Sequence, residues 1–281
     1  MTEHPHHGAQ AHQDEAVLVE LLDLDAEVLG SYLDQMTGWA AEHARVVPRT
    51  VVDVGAGTGT GSRALARRFP ASDVVAIDRS ALMLERIRAA ALEQGLADRL
   101  RVVQADLDDA WPEIGPVDGG VDIVWAALSL HEVTDPDRVF RDIYAALDPG
   151  GLLVVIEMDA LPRFLPDDVG LGRPGLESRL HGAAGQANGN VHPDWRPHLE
   201  RAGFAIVEQR TFALEVSPAP STGRYAHAYL SHLRSALDGR LTAEDRITLD
   251  HLLADDNQDG LMRRRDLTVR GSRTAWAARR P

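Results

Sequence analysis

Five short runs rich in valine and isoleucine alternate with helix-patterned segments between residues 49 and 160, and this alternation constrains the fold more than any other feature. The runs read TVVDVG, DVVAID, RVVQAD, VDIVWA and GLLVVIEMD. Segments such as ALMLERIRAAALEQG lie between them, with apolar residues three and four positions apart. Continuous β-branched runs separated by helices are typical of a parallel sheet that helices cover on both faces. We therefore predict an α/β fold with a doubly wound, mostly parallel sheet.

The remainder of the chain adds helices and two further strands. Residues 204–216 and about 268–279 read as strands, and helical segments separate them. The first residues are polar and rich in histidine without periodicity, which is typical of a disordered tail. The predicted organisation is a disordered tail at 1–14, N-terminal cap helices at 15–47, and a sheet domain at 48–281 with cap insertions at about 161–199 and 219–265.

The composition limits the chemistry and the partners. A formal net charge of −14 argues against nucleic acid, because affinity for phosphates depends on Lys and Arg. All 29 basic residues are arginine and there is no cysteine, which excludes lysine Schiff bases, thiolate nucleophiles and cysteine–zinc sites. Neither a secretory signal pattern nor an apolar run of about 20 residues is present. We expect a cytoplasmic protein that acts on a small molecule, without nucleic acid or membrane as partner. The oligomeric state stays open.

The stretch VVDVGAGTGTGSRAL, residues 51–65, places a glycine-rich turn directly after the first strand. Such a turn lets the backbone approach a ligand closely and points helix N-terminal amides at it. The dinucleotide fingerprint G-x-G-x-x-G requires glycine at its sixth position. Counted from Gly55 this position is Thr60, and counted from Gly57 it is Ser62, so the fingerprint is not matched. The spacing that fits is Asp53-x-Gly55-x-Gly57-x-Gly59. This spacing resembles motif I of the class I methyltransferases that use S-adenosylmethionine.

Acids also end the next two strands, Asp78 after the second and Asp106 after the third. Ligands of open α/β sheets bind outside the carboxyl ends of the strands, where these acids would meet the glycine turn. The same order resembles the methyltransferase family, as does the P-G-G turn at 149–151 before the fifth strand. The resemblance covers about residues 50–160. It implies a Rossmann-like, seven-stranded sheet with a reversed last strand, and S-adenosylmethionine as the cofactor, with S-adenosylhomocysteine as its product.

The resemblance also assigns roles to residues at the strand ends. The glycine turn would face the methionine part of the cofactor, Asp78 and Arg79 the ribose, Met83 the adenine face, and Asp106 and Leu107 the adenine edge. The complete cofactor-binding set is Asp53, Gly55, Ala56, Gly57, Thr58, Gly59, Asp78, Arg79, Met83, Ala105, Asp106, Leu107 and Ala126. No metal site is predicted, because no set of acids and amides has recognisable ligand spacing.

Methyl transfer from a sulfonium is a direct displacement, so the protein mainly aligns the reacting groups. His131 is the candidate general base, because it follows the fourth strand and an imidazole titrates near neutrality. A structural histidine bonded to nearby backbone is the alternative reading. The candidate acceptor contacts are Tyr32, Trp39, Glu157, Asp159, His181 and Tyr225. Packing is the competing explanation for the two N-terminal aromatic residues. Whether oxygen, nitrogen or carbon is methylated stays open.

Two other functions share much of this pattern. An NAD(P)-dependent oxidoreductase has the same strand, glycine turn and acid after the second strand, but the unmatched fingerprint and Asp106 argue against it. A protein that binds S-adenosylmethionine for a reaction other than methylation shares every motif.

Overall fold

The structure, a computed structural model, contains a seven-stranded sheet in the order β3-β2-β1-β4-β5-β7-β6. It describes residues 6–114, 120–188, 194–216 and 220–281. The strands are β1 Thr50–Val54, β2 Asp73–Asp78, β3 Leu100–Gln104, β4 Val121–Ala127, β5 Leu147–Met158, β6 Ala205–Val216 and β7 Val269–Arg279. Strands β1 to β5 pair in parallel, whereas β5 and β7 pair antiparallel. The predicted α/β fold with a reversed last strand is confirmed.

Two helices precede the first strand, and the others lie between successive strands. Their bounds are α1 His6–Val28, α2 Gly30–His43, α3 Thr60–Arg68, α4 Ala81–Glu93, α5 Pro136–Ala146, α6 Leu176–Asn188, α7 Arg196–Arg201, α8 Pro220–Ala236 and α9 Ala243–Leu253. Capping side chains fix where three of them begin, and Asp135 accepts the N–H of Arg138 at the start of α5. The Ser80 hydroxyl accepts the N–H of Met83 at the start of α4, and Thr242 accepts the N–H of Asp245 at the start of α9.

The chain divides into two compact units. We call the first the sheet unit; it comprises Ser31–Ala160, His192–Phe212 and Ser272–Pro281. We call the second the insertion unit; it comprises Met1–Gly30, Leu161–Val191 and Ala213–Gly271.

Two helices predicted as parts of the cap belong to the sheet unit instead. Helix α7 packs on α5, because the buried ring of Trp195, next to its start, lies edge-on to Phe140 at 5.6 Å between ring centroids. The predicted insertion boundary at 199 is therefore too late in the sequence. Helix α2 buries Tyr32 and Trp39, and each ring lies 5.8 Å from the ring of Phe212, edge-on. These apolar contacts explain why both helices join the sheet unit.

The insertion unit has a small core of its own. The ring of Phe164 lies edge-on to Tyr225 at 4.9 Å between centroids. The buried carboxylate of Glu177 accepts the N–H of Phe164 at 2.8 Å and that of Leu165 at 3.2 Å. These bonds tie α6 to the segment before it, and they satisfy backbone donors that burial removes from water.

The predicted disordered tail at 1–14 is corrected at residues 6–14, which form the first turns of α1. Alanine and glutamine, good helix formers, recur in that stretch, and its polar composition does not prevent a helix that continues into an apolar segment. Residues 1–5 lie outside the described residues. None of the helices in the described ranges is long and apolar enough to cross a membrane.

Candidate active site

The turn between β1 and α3 has backbone geometry that favours glycine. Gly55, Gly57 and Gly59 have φ angles of 66°, 53° and 76°, in the left-handed region. Neighbouring side chains also leave no room at two of these positions. A Cβ at Gly55 would lie 2.3 Å from the Cβ of Ser129, and one at Gly59 would lie 2.5 Å from the Cγ1 of Ile87. Conformation and close approach together therefore require glycine here.

Asp53, on β1 just before this turn, is a buried acid. The hydroxyl of Ser62 donates to its Oδ2 at 2.5 Å. Burial, with the charge of Asp78 adding to it, raises the pKa of Asp53 from 3.8 to about 7, against the lowering effect of the Ser62 hydrogen bond. A Cβ at position 61 would lie 3.2 Å from Asp53 Oδ2, so Gly61 leaves space for this carboxyl group. Burial thus favours the protonated form of Asp53.

Asp78 links the end of β2 to the glycine turn. Its Oδ2 accepts the backbone N–H of Gly57 at 2.8 Å, and its Oδ1 accepts the N–H of Ser80 at 2.9 Å. A carboxylate offers about four lone-pair sites, so each oxygen can accept a second donor. The side chain is only half-buried. The carboxylate can therefore hold the turn and accept two hydroxyl groups of a ligand at once.

Asp106 follows β3 at the same edge of the sheet. Its Oδ1 accepts the N–H of Asp108 at 2.9 Å, while its Oδ2 accepts no hydrogen bond from the described residues. The side chain is exposed, and the adjacent Leu107 is half-buried. The N–H of Ala105 donates to the carbonyl of Asp78 at 3.0 Å, which holds the ends of β2 and β3 side by side. An acceptor oxygen is thus presented next to the Asp78 site.

The other predicted cofactor residues also lie on β1, β2, β4 or the segments that follow them. They are Ala56 and Thr58 in the glycine turn, Arg79 after β2, Met83 buried in the first turn of α4, and Ala126 buried on β4. Their contact with a cofactor stays a prediction. In the part of the chain that the structure describes, no group of three or more His, Cys, Asp or Glu residues is placed to hold a metal ion.

Sequence reasoning missed two residues directly after β4. Leu128 has a φ of 57°, which is rare for a residue other than glycine, and its N–H donates to the carbonyl of Ile156 at 2.9 Å. The next residue, Ser129, donates its hydroxyl to the carbonyl of Val54 at 2.7 Å and lies against Gly55. Unusual backbone of this kind clusters at functional sites. A leucine in the left-handed region leaves no compositional signal, which explains why the sequence did not reveal it.

The half-buried His131 forms a dyad with the buried carboxylate of Glu157. Its Nδ1 lies 3.0 Å from Glu157 Oε2, and its Nε2 lies 3.4 Å from Glu132 Oε1. The Glu157 side chain is 2% exposed and that of Glu132 is 62% exposed, so the two carboxylates differ strongly in solvation. The hydrogen bond to Glu157 raises the pKa of His131 above its ordinary 6.5, although burial opposes this.

The geometry of the dyad selects one tautomer. When Nδ1–H donates to Glu157, the lone pair of a neutral imidazole lies on Nε2, on the side away from the buried carboxylate. The other Glu157 oxygen, Oε1, accepts the N–H of Met158 at 3.0 Å. His131 therefore contacts a side chain rather than backbone, and its Nε2 can take a proton from a ligand.

The predicted acceptor contacts of the sheet unit have other partners within it. Tyr32 and Trp39 are buried against Phe212, which is a packing role. Asp159 is exposed and accepts the hydroxyl of Thr274 at 2.6 Å. Contact of these three residues with an acceptor stays a prediction.

His181 and Tyr225 belong to the insertion unit. The Nε2 of His181 is buried and makes no hydrogen bond with the described residues. Burial, followed by the charge of Arg163, lowers the pKa of His181 to about 4, so the ring is neutral at pH 7. The hydroxyl of Tyr225 donates to Asp25 at 2.8 Å. Their role as acceptor contacts also stays a prediction.

The glycine turn gives a prediction about stability. We expect Gly55→Ala to lower the free energy of unfolding by about 2 kcal/mol more than Gly95→Ala, because only the first change creates a steric overlap. Both glycines have a φ of 66°, and a Cβ at Gly95 meets nothing within 4 Å. Gly95→Ala therefore measures the conformational cost alone, about 1–2 kcal/mol. Urea unfolding followed by circular dichroism measures both values, and equal losses would contradict the required close approach of Gly55 to Ser129.

Comparison with known proteins relates this site to a family. The model of a methyltransferase domain family matches residues 51–151. A malonyl-[acyl-carrier protein] O-methyltransferase of Laribacter hongkongensis is 34% identical over 206 residues, which are 70% of this chain and 65% of that protein. A trans-aconitate 2-methyltransferase of Variovorax paradoxus is 33% identical over 141 residues, which are 48% of this chain and 50% of that protein. The chain thus spans 50% to 65% of the length of these two relatives.

A solved structure with the same fold comes from Bacillus halodurans. This candidate methyltransferase has a TM-score of 0.53 and 21% identity, with 87% of this chain and 98% of that chain covered. It supports the fold alone. The family match over residues 51–151 and the two relatives show that the chain is similar to methyltransferases, in the region that carries the glycine turn and the acids at the strand ends.

Proposed function

We propose that this chain binds S-adenosylmethionine at the carboxyl ends of β1 to β4 and transfers the methyl group to a small-molecule acceptor. The observation that carries the proposal is the position of Asp78. Its carboxylate holds the glycine turn through Gly57 and the start of α4 through Ser80, and keeps lone pairs for two further donors. Two vicinal ribose hydroxyls are donors of the required number and spacing.

The other residues at this edge fit the same cofactor. Asp106 keeps an exposed oxygen, Oδ2, that can accept the amino group of adenine. The glycine turn carries no side chains at Gly55, Gly57 and Gly59. The methionine part of the cofactor would lie directly against this backbone. The nicotinamide alternative fits less well, because Ser62 stands where one fingerprint frame needs glycine and its hydroxyl is bonded to Asp53.

Bound S-adenosylmethionine supplies an electrophilic methyl group on a positively charged sulfur. The contribution of this chain is to hold both reactants in line and to exclude water, and such alignment is worth about 7–11 kcal/mol in favourable cases. Asp78 and Asp106 would fix the adenosine half, and the glycine turn would fix the methionine half. No residue of the chain needs to form a covalent bond.

We assign His131 as the general base and Glu157 as its positioning residue. As the acceptor attacks the methyl carbon, its O–H or N–H proton passes to Nε2 of His131, and the electron pair of the breaking C–S bond stays on sulfur. Glu157, bonded at Nδ1, stabilises the imidazolium that forms. A general base of this kind contributes about 10² to 10⁴ in rate.

The relatives give His131 a second candidate role. Both are named for carboxylic acid acceptors, a malonyl group on a carrier protein in one case and trans-aconitate in the other. A carboxylate is already ionised at pH 7 and needs no base. The imidazolium of His131, which the raised pKa favours, would then orient an anionic acceptor. The pH dependence of the reaction separates the two roles.

Asp78 gives the test of cofactor binding. We expect Asp78→Asn to weaken S-adenosylhomocysteine binding by roughly 10- to 100-fold, because a charge-assisted bond to a hydroxyl is worth about 1.5–3 kcal/mol. Asp73→Asn is the matched control, since Asp73 is the exposed first residue of the same strand. Isothermal titration calorimetry measures both affinities. Unchanged affinity in Asp78→Asn, or an equal loss in both variants, would contradict the proposed ribose site.

The dyad gives a prediction about pH. We expect NMR titration to place the pKa of His131 above 6.5, and Glu157→Gln to lower it, because the hydrogen bond to Glu157 is the largest cause of the raised value. Glu132→Gln is the control and should lower the pKa less, since that carboxylate is farther away and exposed. Equal shifts in the two variants would contradict the assigned partner of His131.

The pKa of His131 from this titration also predicts whether kcat/KM rises or falls with pH. If His131 is the base, kcat/KM rises with pH through the measured pKa and then levels, because the neutral ring is the active form. His131→Asn should remove this rise and lower the plateau by about 10² to 10⁴. A kcat/KM that falls with pH through the same pKa would contradict the base and support the imidazolium that orients an anion. Hydroxyl, amine and carboxylate compounds, with trans-aconitate among them, serve as test acceptors.

A further inference from the structure

A cleft lies at the amino edge of the sheet, where β4 and β5 begin and β7 ends. It contains about 590 Å³ of space, including its open mouth, and its lining includes Asp122, Leu152, Arg45 and Arg279. Leu152 pairs with Arg279 across β5 and β7. The step along β5 from Leu152 to Glu157 spans about 17 Å. The cleft is therefore at the edge opposite to the candidate active site.

Arg279 brings a buried positive charge to this cleft. The residue is 7% exposed, and its Nη1 and Nη2 donate to the carbonyls of Gly150 at 2.7 Å and His43 at 2.6 Å. No carboxylate in the described residues forms an ion pair with it. His43 ends α2, so the helix dipole offsets part of the charge. Buried charges normally have a partner of opposite sign, and here carbonyl oxygens alone fill that position.

Arg45 adds a second positive charge to the same cleft. Its side chain is exposed and makes neither an ion pair nor a hydrogen bond with the residues that the structure describes. Burial, and then the charge of Arg45, lowers the pKa of Arg279. Two guanidinium groups that repel each other across one cleft leave a position where an anion would be stabilised by both.

The two carboxylates of the cleft, Asp122 and Asp148, have other partners. Asp122 Oδ2 accepts the backbone N–H of Arg49 at 2.7 Å and that of Thr50 at 3.1 Å. The guanidinium of Arg49 lies 3.9 Å from the carboxylates of both Asp122 and Asp148. Arg49 and these backbone donors are thus the partners of the acids, whereas Arg45 has no partner among the described residues and the Nη atoms of Arg279 have only carbonyl oxygens.

We propose that this cleft binds a small-molecule oxyanion, a carboxylate or a phosphate, between Arg45 and Arg279. Arg45 offers its whole planar guanidinium, which matches two oxygens of such a group. Arg279 has both Nη atoms on carbonyls and offers its Nε–H. Val46, Ile123 and Pro149 also line the cleft, so that an apolar part of the ligand would contact them. This proposal does not depend on the activity proposed above.

Calorimetry with two probes tests the site on the full chain. Inorganic phosphate and malonate are titrated separately, with sodium chloride added to keep the ionic strength equal. We expect at least one probe to bind with a millimolar or lower Kd. The tighter probe identifies the preferred oxyanion. No millimolar binding of either probe would overturn the proposal.

Three variants locate the bound anion. Arg45→Gln should weaken binding roughly tenfold, because it removes a charge-assisted bond. Arg88→Gln removes the same charge from an exposed position of α4 and should leave the Kd unchanged within about twofold. His131→Asn should also leave it unchanged, which separates this cleft from the candidate active site. Equal weakening in the two arginine variants, or a loss in His131→Asn alone, would overturn the proposal.

Discussion

The hydrogen bond from the N–H of Gly57 to the carboxylate of Asp78, 2.8 Å long, is the interaction on which the candidate active site depends. It joins the turn after β1 to the end of β2. This turn requires glycine at position 55, because the backbone there is in the left-handed region. In addition, Ser129 from the segment after β4 occupies the space where a side chain would lie. The carboxylate of Asp78 thus holds the ends of β1 and β2 together, and the absence of a side chain at Gly55 lets the segment after β4 lie against them. The burial that raises the pKa of Asp53 follows from the same closely packed turn.

At the ends of β4 and β5, an unusual backbone conformation and a hydrogen bond between side chains shape the candidate site. Leu128 takes a left-handed conformation, and the chain after it carries His131 to Glu157 at the end of β5. One side of the imidazole is then bonded to a buried carboxylate, and the other side lies 3.4 Å from the exposed carboxylate of Glu132. In the proposed function, the glycine turn and its two acids would bind the methyl donor, and His131 with its buried partner Glu157 would handle a proton or a charge of the acceptor.

Sequence patterns were sufficient for the parallel strands at the centre of the sheet, because β1 and β2 are short runs rich in buried β-branched residues. The acids Asp53, Asp78 and Asp106 were equally visible, since turn chemistry is local. The sequence did not predict that α7 belongs to the sheet unit, because the packing of Trp195 on Phe140 joins residues far apart in sequence. Leu128, Ser129 and the cleft of Arg45 and Arg279 depend on tertiary approach, which single-sequence patterns do not encode. Tyr32 and Trp39 show the reverse case, in which a helical stripe of aromatic residues is explained by packing.

The central claim is that the glycine turn and the acids after β2 and β3 form an adenosyl site rather than a dinucleotide site. Isothermal titration calorimetry of the unmodified chain with S-adenosylhomocysteine and, separately, with NAD⁺ tests it most directly. We predict saturable one-site binding of S-adenosylhomocysteine and no heat of binding with NAD⁺. Binding of NAD⁺ without binding of S-adenosylhomocysteine would contradict the account.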